Sequence, residues 1–178
     1  MAGNRLLHGP RDMLLSLLAL LIIIGLPLWL TRACTFSPGA PQADPAAAPR
    51  VDVSANLSQA QLPFKVRVPV VPAQWHGNST SVGKVEPDDK VIRAGWLTPD
   101  RYIQLSQSNA DIPELVTSET GAMSLARGTE DVNGTQWTVF PGRRDELAWV
   151  ADVNGVRLLI TGTGDANEFR ALAAASTS

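Results

Sequence analysis

Two histidines, one cysteine and seventeen acidic residues are the side chains of this 178-residue chain with the widest chemical reach. A hydrolytic triad needs a histidine beside a hydroxyl nucleophile and a carboxylate. His8 lies before the long apolar run, so only His76, in "QWHGN", qualifies, with Ser79 and Ser81 close behind it. The nucleophile-elbow pattern G-x-S-x-G does not occur, and His76 reads as a turn residue. A zinc site needs three or four nitrogen, sulfur or carboxylate ligands, which one cysteine and one distal histidine do not supply. The acidic runs Glu86–Asp89 and Glu130–Asp131 lack the alternating ligands and closing glutamate of a calcium loop, so they read as solvated turns. "GTGDANEF" places glycines before a helix but matches neither phosphate-loop nor dinucleotide-loop spacing. Asp165 there reads as a helix cap. Asn78-Ser79-Thr80 and Asn133-Gly134-Thr135 fit the glycosylation triplet, the second inside a strong hairpin-turn signal. On these patterns the expectation is no catalytic, cofactor-binding or metal-binding residue and no cofactor, hence a protein that is not an enzyme. The enzyme alternative is a carboxylate-dependent hydrolase of cell-wall glycan, with two acids across a cleft.

The elements that would carry such residues begin with "MLLSLLALLIIIGLPLWL", Met13–Leu30, eighteen residues without a charge. At 1.5 Å per residue that is roughly 27 Å of helix, close to a bilayer's hydrocarbon thickness. A cleaved secretory signal has a shorter apolar region and a nearby small-x-small site; here the first good match is Ala46–Ala48. A lipoprotein signal would need small apolar residues before Cys34, where Thr31-Arg32-Ala33 stand instead. The reading is a transmembrane helix at 13–30 behind a cytoplasmic tail at 1–12. Arg5 and Arg11 precede the span and Arg32 follows it, so the positive-inside rule keeps the N-terminus cytoplasmic and the rest extracytoplasmic. Cys34 has no partner for an internal disulfide and falls at the outer boundary, where it reads first as a juxtamembrane residue without a role, with an intermolecular disulfide or lipid attachment as the alternatives. Residues 31–50, with prolines at 38, 41, 45 and 49, read as a semi-extended stalk.

Residues 51–178 form the expected extracytoplasmic domain. They hold eleven Lys and Arg against fifteen Asp and Glu, a balance of −4. That balance argues against a nucleic-acid partner and against a domain lying flat on anionic lipid. A short helix should start near Asp52 or Ser54. "PFKVRV" alternates like a strand, and Pro69 and Pro72 restrict it to an edge or strap. "STSVGKVE", "KVIRAGWLT" and "RYIQLSQS" read as strands, then "DIPELVTSE" as a helix with a capping box from Asp111 and Glu114. "ARGTEDVN" and "TQWTVF" meet at Asn133-Gly134; "ELAWVADV" and "VRLLITGT" meet at Asn154-Gly155, both signals for two-residue hairpins. "DANEFRALAAA" closes the chain as a helix capped by Asp165 and Glu168. The fold class is α+β: an antiparallel sheet built from two β-rich hairpin units, each followed by a helix.

The two halves also align with each other, given one added residue. Trp96 then meets Trp149, Leu105 meets Leu159, and Leu115 meets Phe169. Trp75, Trp96, Trp137 and Trp149 lie outside the apolar run and read first as core, with a ligand or peptide groove as the alternative.

"RDMLLSLL", "TRACTFSPG", "VDVSANL", "GWLTPDRYIQLSQS" and "WVADVNGVRLLITGTG" together resemble the actinobacterial single-pass membrane family known as domain of unknown function 4245, over Arg11 to Ala173. Gln74 departs from the glycine more usual in that family before the following tryptophan. The resemblance implies a membrane-anchored protein and brings no catalytic residues. The expected function is a membrane-anchored binding or interaction module of the cell envelope, with the membrane, through its helix, and an envelope protein, lipid or cell-wall component as partners.

Overall fold

A computed structural model describes residues 10–30, 50–85 and 87–177. The chain divides into two compact units, Met1–Gln42 and Ala43–Ser178.

The first unit holds α1, Pro10–Leu30, 21 residues long. Its side chains are described at Arg11 and from Met13 to Ile24, where the large apolar ones are all exposed, from Ile24 at 52% to Met13 at 71%. That stretch is about 18 Å of helix at 1.5 Å per residue. Among the described residues no helix is long and apolar enough to cross a membrane. The expectation of a helix over 13–30 therefore holds, and that of a span does not follow from the described residues. Most of the tail, the stalk with Cys34, and Glu86 lie outside them.

The second unit is α+β. One seven-stranded antiparallel sheet has the order β1-β2-β3-β7-β6-β5-β4. Its strands are β1 His76–Val85, β2 Asp89–Leu97, β3 Tyr102–Ser108, β4 Gly128–Val132, β5 Thr135–Pro141, β6 Leu147–Val153 and β7 Val156–Gly162. Helices α2 Val53–Gln59, α3 Ile112–Thr120 and α4 Ala166–Thr177 complete it. Each half thus ends in a helix, as the sequence suggests.

Both short hairpins form where the Asn-Gly pairs stand. Asn133 and Gly134 have φ of 54° and 78°, Asn154 and Gly155 58° and 82°, the two left-handed residues of a type I′ turn. Asp131 and Asp152 brace them by accepting from the Gly134 and Gly155 N–H. Asp52 caps α2 through the Ala55 N–H. Asp165 and Glu168 form the reciprocal capping box of α4: Glu168 N–H donates to Asp165, and Asp165 N–H to Glu168. The box expected at α3 does not form. Asp111 makes no side-chain cap and instead accepts from Arg157 at 2.9 Å, because that guanidinium reaches it across the sheet and competes better than a backbone N–H.

Side chains alternate across the sheet, so its faces bury different layers. On one face Trp96, Ile103, Leu105, Trp149 and Ile160 pack with α2 and α4 through Leu57, Phe169 and Leu172. On the other, Val91, Val150 and Leu159 pack with α3 through Leu115 and Val116. The four tryptophans of this unit are buried in the first layer, which fits their reading as core.

Two expectations need correction. "PFKVRV" is not a strand. It crosses the first face as a strap, with Leu62, Phe64, Val66 and Val71 packed on the core. Buried Gln107 stands in for a strand partner: its amide accepts from the Arg67 N–H and donates to the Arg67 carbonyl, both at 2.8 Å. Prolines at 63, 69 and 72 deny the segment a regular ladder. The internal duplication also fails. Leu105 packs in the layer of α2 and α4 and Leu159 in that of α3. A one-residue offset in a strand moves every following side chain to the opposite face, and the proposed alignment contains that offset.

Candidate binding cleft

One end of the sheet holds an open cleft of about 440 Å³, within the range of small-ligand sites. Three chain reversals at one end of the sheet build it. The turn between β2 and β3 supplies Arg101, and the turn between β5 and β6 supplies Arg144, Asp145 and Glu146. The passage from β7 into α4 supplies Gly162, Thr163, Gly164 and Ala166. Leu147, Trp149 and Phe169 line it from the core.

Local chemistry explains each wall. Gly162 sits at φ 135°, and a Cβ there would lie 2.4 Å from the Tyr102 carbonyl oxygen, so only glycine allows β7 to end against β3. Thr163 then ties the passage to β3: its N–H donates to the Tyr102 carbonyl and its hydroxyl accepts from the Tyr102 N–H at 3.1 Å. Arg101 is held in place by donating to the Thr163 carbonyl at 3.0 Å. Arg144 has φ 56°, a left-handed conformation that costs a non-glycine residue energy and that clusters at functional sites. The Trp149 and Phe169 rings meet at 5.4 Å between centroids, tilted by 57°, and form one aromatic wall. Trp149 is 3% exposed, and its indole N–H is buried without a hydrogen-bond partner.

A second polar constellation lies on the α3 face. Glu119, near the end of α3, has a side chain 4% exposed and receives Arg93 of β2 in a paired contact. Arg93 Nε donates to both carboxylate oxygens at 2.9 and 3.0 Å, and Nη2 to one at 2.6 Å. Gln104 and Ser106 of β3 donate to the same carboxylate at 3.2 and 3.1 Å, and the Tyr102 hydroxyl donates to Gln104. Glycines make the room. A Cβ at Gly83 would lie 2.7 Å from an Arg93 nitrogen, and one at Gly95 would lie 2.2 Å from the Tyr102 hydroxyl. A carboxylate this fully paired is a structural acceptor joining α3 to the sheet.

His76 opens β1, with Ser79 and Ser81 farther along the same strand, and its imidazole makes no hydrogen bond among the described residues. Glu130 pairs with Arg170 at 2.9 Å, and Asp89 accepts from Asn109. Among the described residues no cluster of three His, Cys, Asp or Glu could hold a metal ion. Sequence reasoning singled out Trp149 and Phe169 as core and missed the arginines beside them. Arg101 and Arg144 come from different turns, and only the sheet order brings them together. Gly83 and Gly95, isolated inside strand patterns, were the legible sign of the Arg93–Glu119 cluster.

The family model described as "protein of unknown function (DUF4245)" matches residues 5–176. No curated protein and no solved structure matches the chain.

Proposed function

We propose that the chain, which belongs to the DUF4245 family of proteins of unknown function, is a membrane-anchored extracytoplasmic binding module of the cell envelope. Helix α1 carries the proposal. Its uncharged run, residues 13–30, rises about 27 Å at 1.5 Å each, close to the thickness of a hydrocarbon core. Apolar side chains are exposed along its described length, a pattern that calls for lipid or a covering protein. Arginines weighted to its N-terminal side favour a cytoplasmic N-terminus. The folded unit then lies outside, offering a cleft with an aromatic wall and a charged rim.

A glycan hydrolase would set two carboxyls across a cleft from each other, about 5–10 Å apart. Asp145 and Glu146 are instead neighbours on a single turn of the rim, which favours binding over hydrolysis. Topology is read from Cys34, the sole cysteine. A membrane-impermeant maleimide added to intact cells should label it, and Cys34→Ser should abolish the label. Labelling that requires cell lysis overturns the orientation, and release of the chain by alkaline carbonate overturns the anchor.

A further inference from the structure

The cleft opens at the end of the sheet where the chain enters the folded unit. Val51 N–H donates to the Gly77 carbonyl at 3.0 Å. Gly77 is in register with Trp96, Trp96 with Ile103, Ile103 with Gly162, and Gly162 with Leu147. One row across five strands therefore runs from the entry point to the cleft floor. Under the proposed function, on which this step rests, the chain is anchored in a bilayer.

The rim carries four charges: Arg101, Arg144, Asp145 and Glu146. None is in a salt bridge among the described residues. Arg101 and Arg144 come from turns next to β3 and β6, the two neighbours of β7, and strands two apart are separated by about 10 Å. A guanidinium on each side suits a phosphate, which takes paired N–H donors. Two carboxylates on the same rim repel a bare polyanion and suit an ammonium beside it. Leu147, 38% exposed, and the Trp149–Phe169 pair give the cleft an apolar side. From these groups we infer that the cleft binds a headgroup bearing both a phosphate and an ammonium, presented by a lipid at the membrane surface.

The test uses the isotopically labelled full chain in maltoside micelles, with glycerophosphoethanolamine, glycerophosphate and ethanolamine as soluble probes. The readout is the Trp149 indole N–H resonance, assigned by Trp149→Phe. Saturable movement with glycerophosphoethanolamine at millimolar concentration is expected, with either half-molecule weaker by about tenfold, the scale of one charge-assisted hydrogen bond. Arg144→Gly, which suits the left-handed backbone and so keeps the fold, should weaken binding at least as much. Asp145→Asn with Glu146→Gln should erase the preference over glycerophosphate. Equal binding of glycerophosphate by the parent overturns the inference, as does an unchanged Arg144→Gly variant. The source is settled by native mass spectrometry of the chain with equimolar phosphatidylethanolamine, phosphatidic acid and diacylglycerol. Selective phosphatidylethanolamine adducts that Arg144→Gly loses are expected; soluble-probe binding without them overturns the lipid assignment. Because the soluble arm needs no bilayer, its failure is distinct from a failure of the Cys34 labelling.

Discussion

Trp149 belongs to both the core and the cleft. It pairs with Phe169 across the α4 layer and also lines the hollow. Removing a buried aromatic loses its transfer energy and leaves a cavity, typically 3–5 kcal/mol in sum. Trp149→Ala should therefore lower the stability of residues 43–178 by about that amount in urea denaturation, beyond any effect on ligand. A variant that melts like the parent but fails to bind would make Trp149 a binding residue rather than a packing one. Arg93 and Glu119 obey a different rule. Deleting one partner strands a buried charge, whereas exchanging both for apolar groups can be nearly neutral. Arg93 is a quarter exposed, so Arg93→Met should cost about 3 kcal/mol, the low end for a buried pair. Glu119→Leu added to it should recover part of that loss, and a double-mutant cycle showing simple additivity would refute the coupling.

Among the elements, the strap at 60–72 takes its backbone partner from one side chain, and the end of β7 turns on one glycine. The strap has no ladder, so its Arg67 backbone depends on the Gln107 amide. Gln107→Leu leaves a partly buried N–H and carbonyl unpaired, at up to about 1–3 kcal/mol each. Amide exchange at Arg67 should quicken far more than in β3 itself; equal acceleration in both would mean general destabilisation. Gly162 allows β7 to stop against Tyr102. Gly162→Ala places a methyl group 2.4 Å from a carbonyl oxygen in a backbone region that disfavours it, and should cost more than the 1–3 kcal/mol of backbone strain alone. Melts of Gly162→Ala beside Gly134→Ala separate the terms, because a Cβ at Gly134 meets nothing within 4 Å. The Asn-Gly hairpins and the α4 capping box were legible in sequence, since each is decided by residues three or fewer positions apart. The α3 cap was not, because Asp111's partner Arg157 is 46 residues away.

At the level of the whole molecule, α1 and the α+β unit cluster separately. Residues 43–178 expressed alone should give one cooperative transition at the midpoint found for the same unit in the full chain in detergent; a markedly lower midpoint would mean that the preceding segment stabilises the fold. The sequence by itself determined the apolar helix, the α+β class, the four strands of the second half, both tight turns and the four buried tryptophans. All rest on local periodicity, turn chemistry or transfer energy, which neighbouring residues settle. Tertiary structure alone decided that α3 and α4 cover opposite faces, since a single added residue reverses the alternation and cannot be weighed without the register. It alone turned "PFKVRV" into a strap through a side chain 40 residues distant. It also placed Arg101 and Arg144 on the rim of one cleft and Arg93 against Glu119. These pairs join residues from separate elements, and strand order, which depends on the packing of all seven strands at once, sets which of them meet.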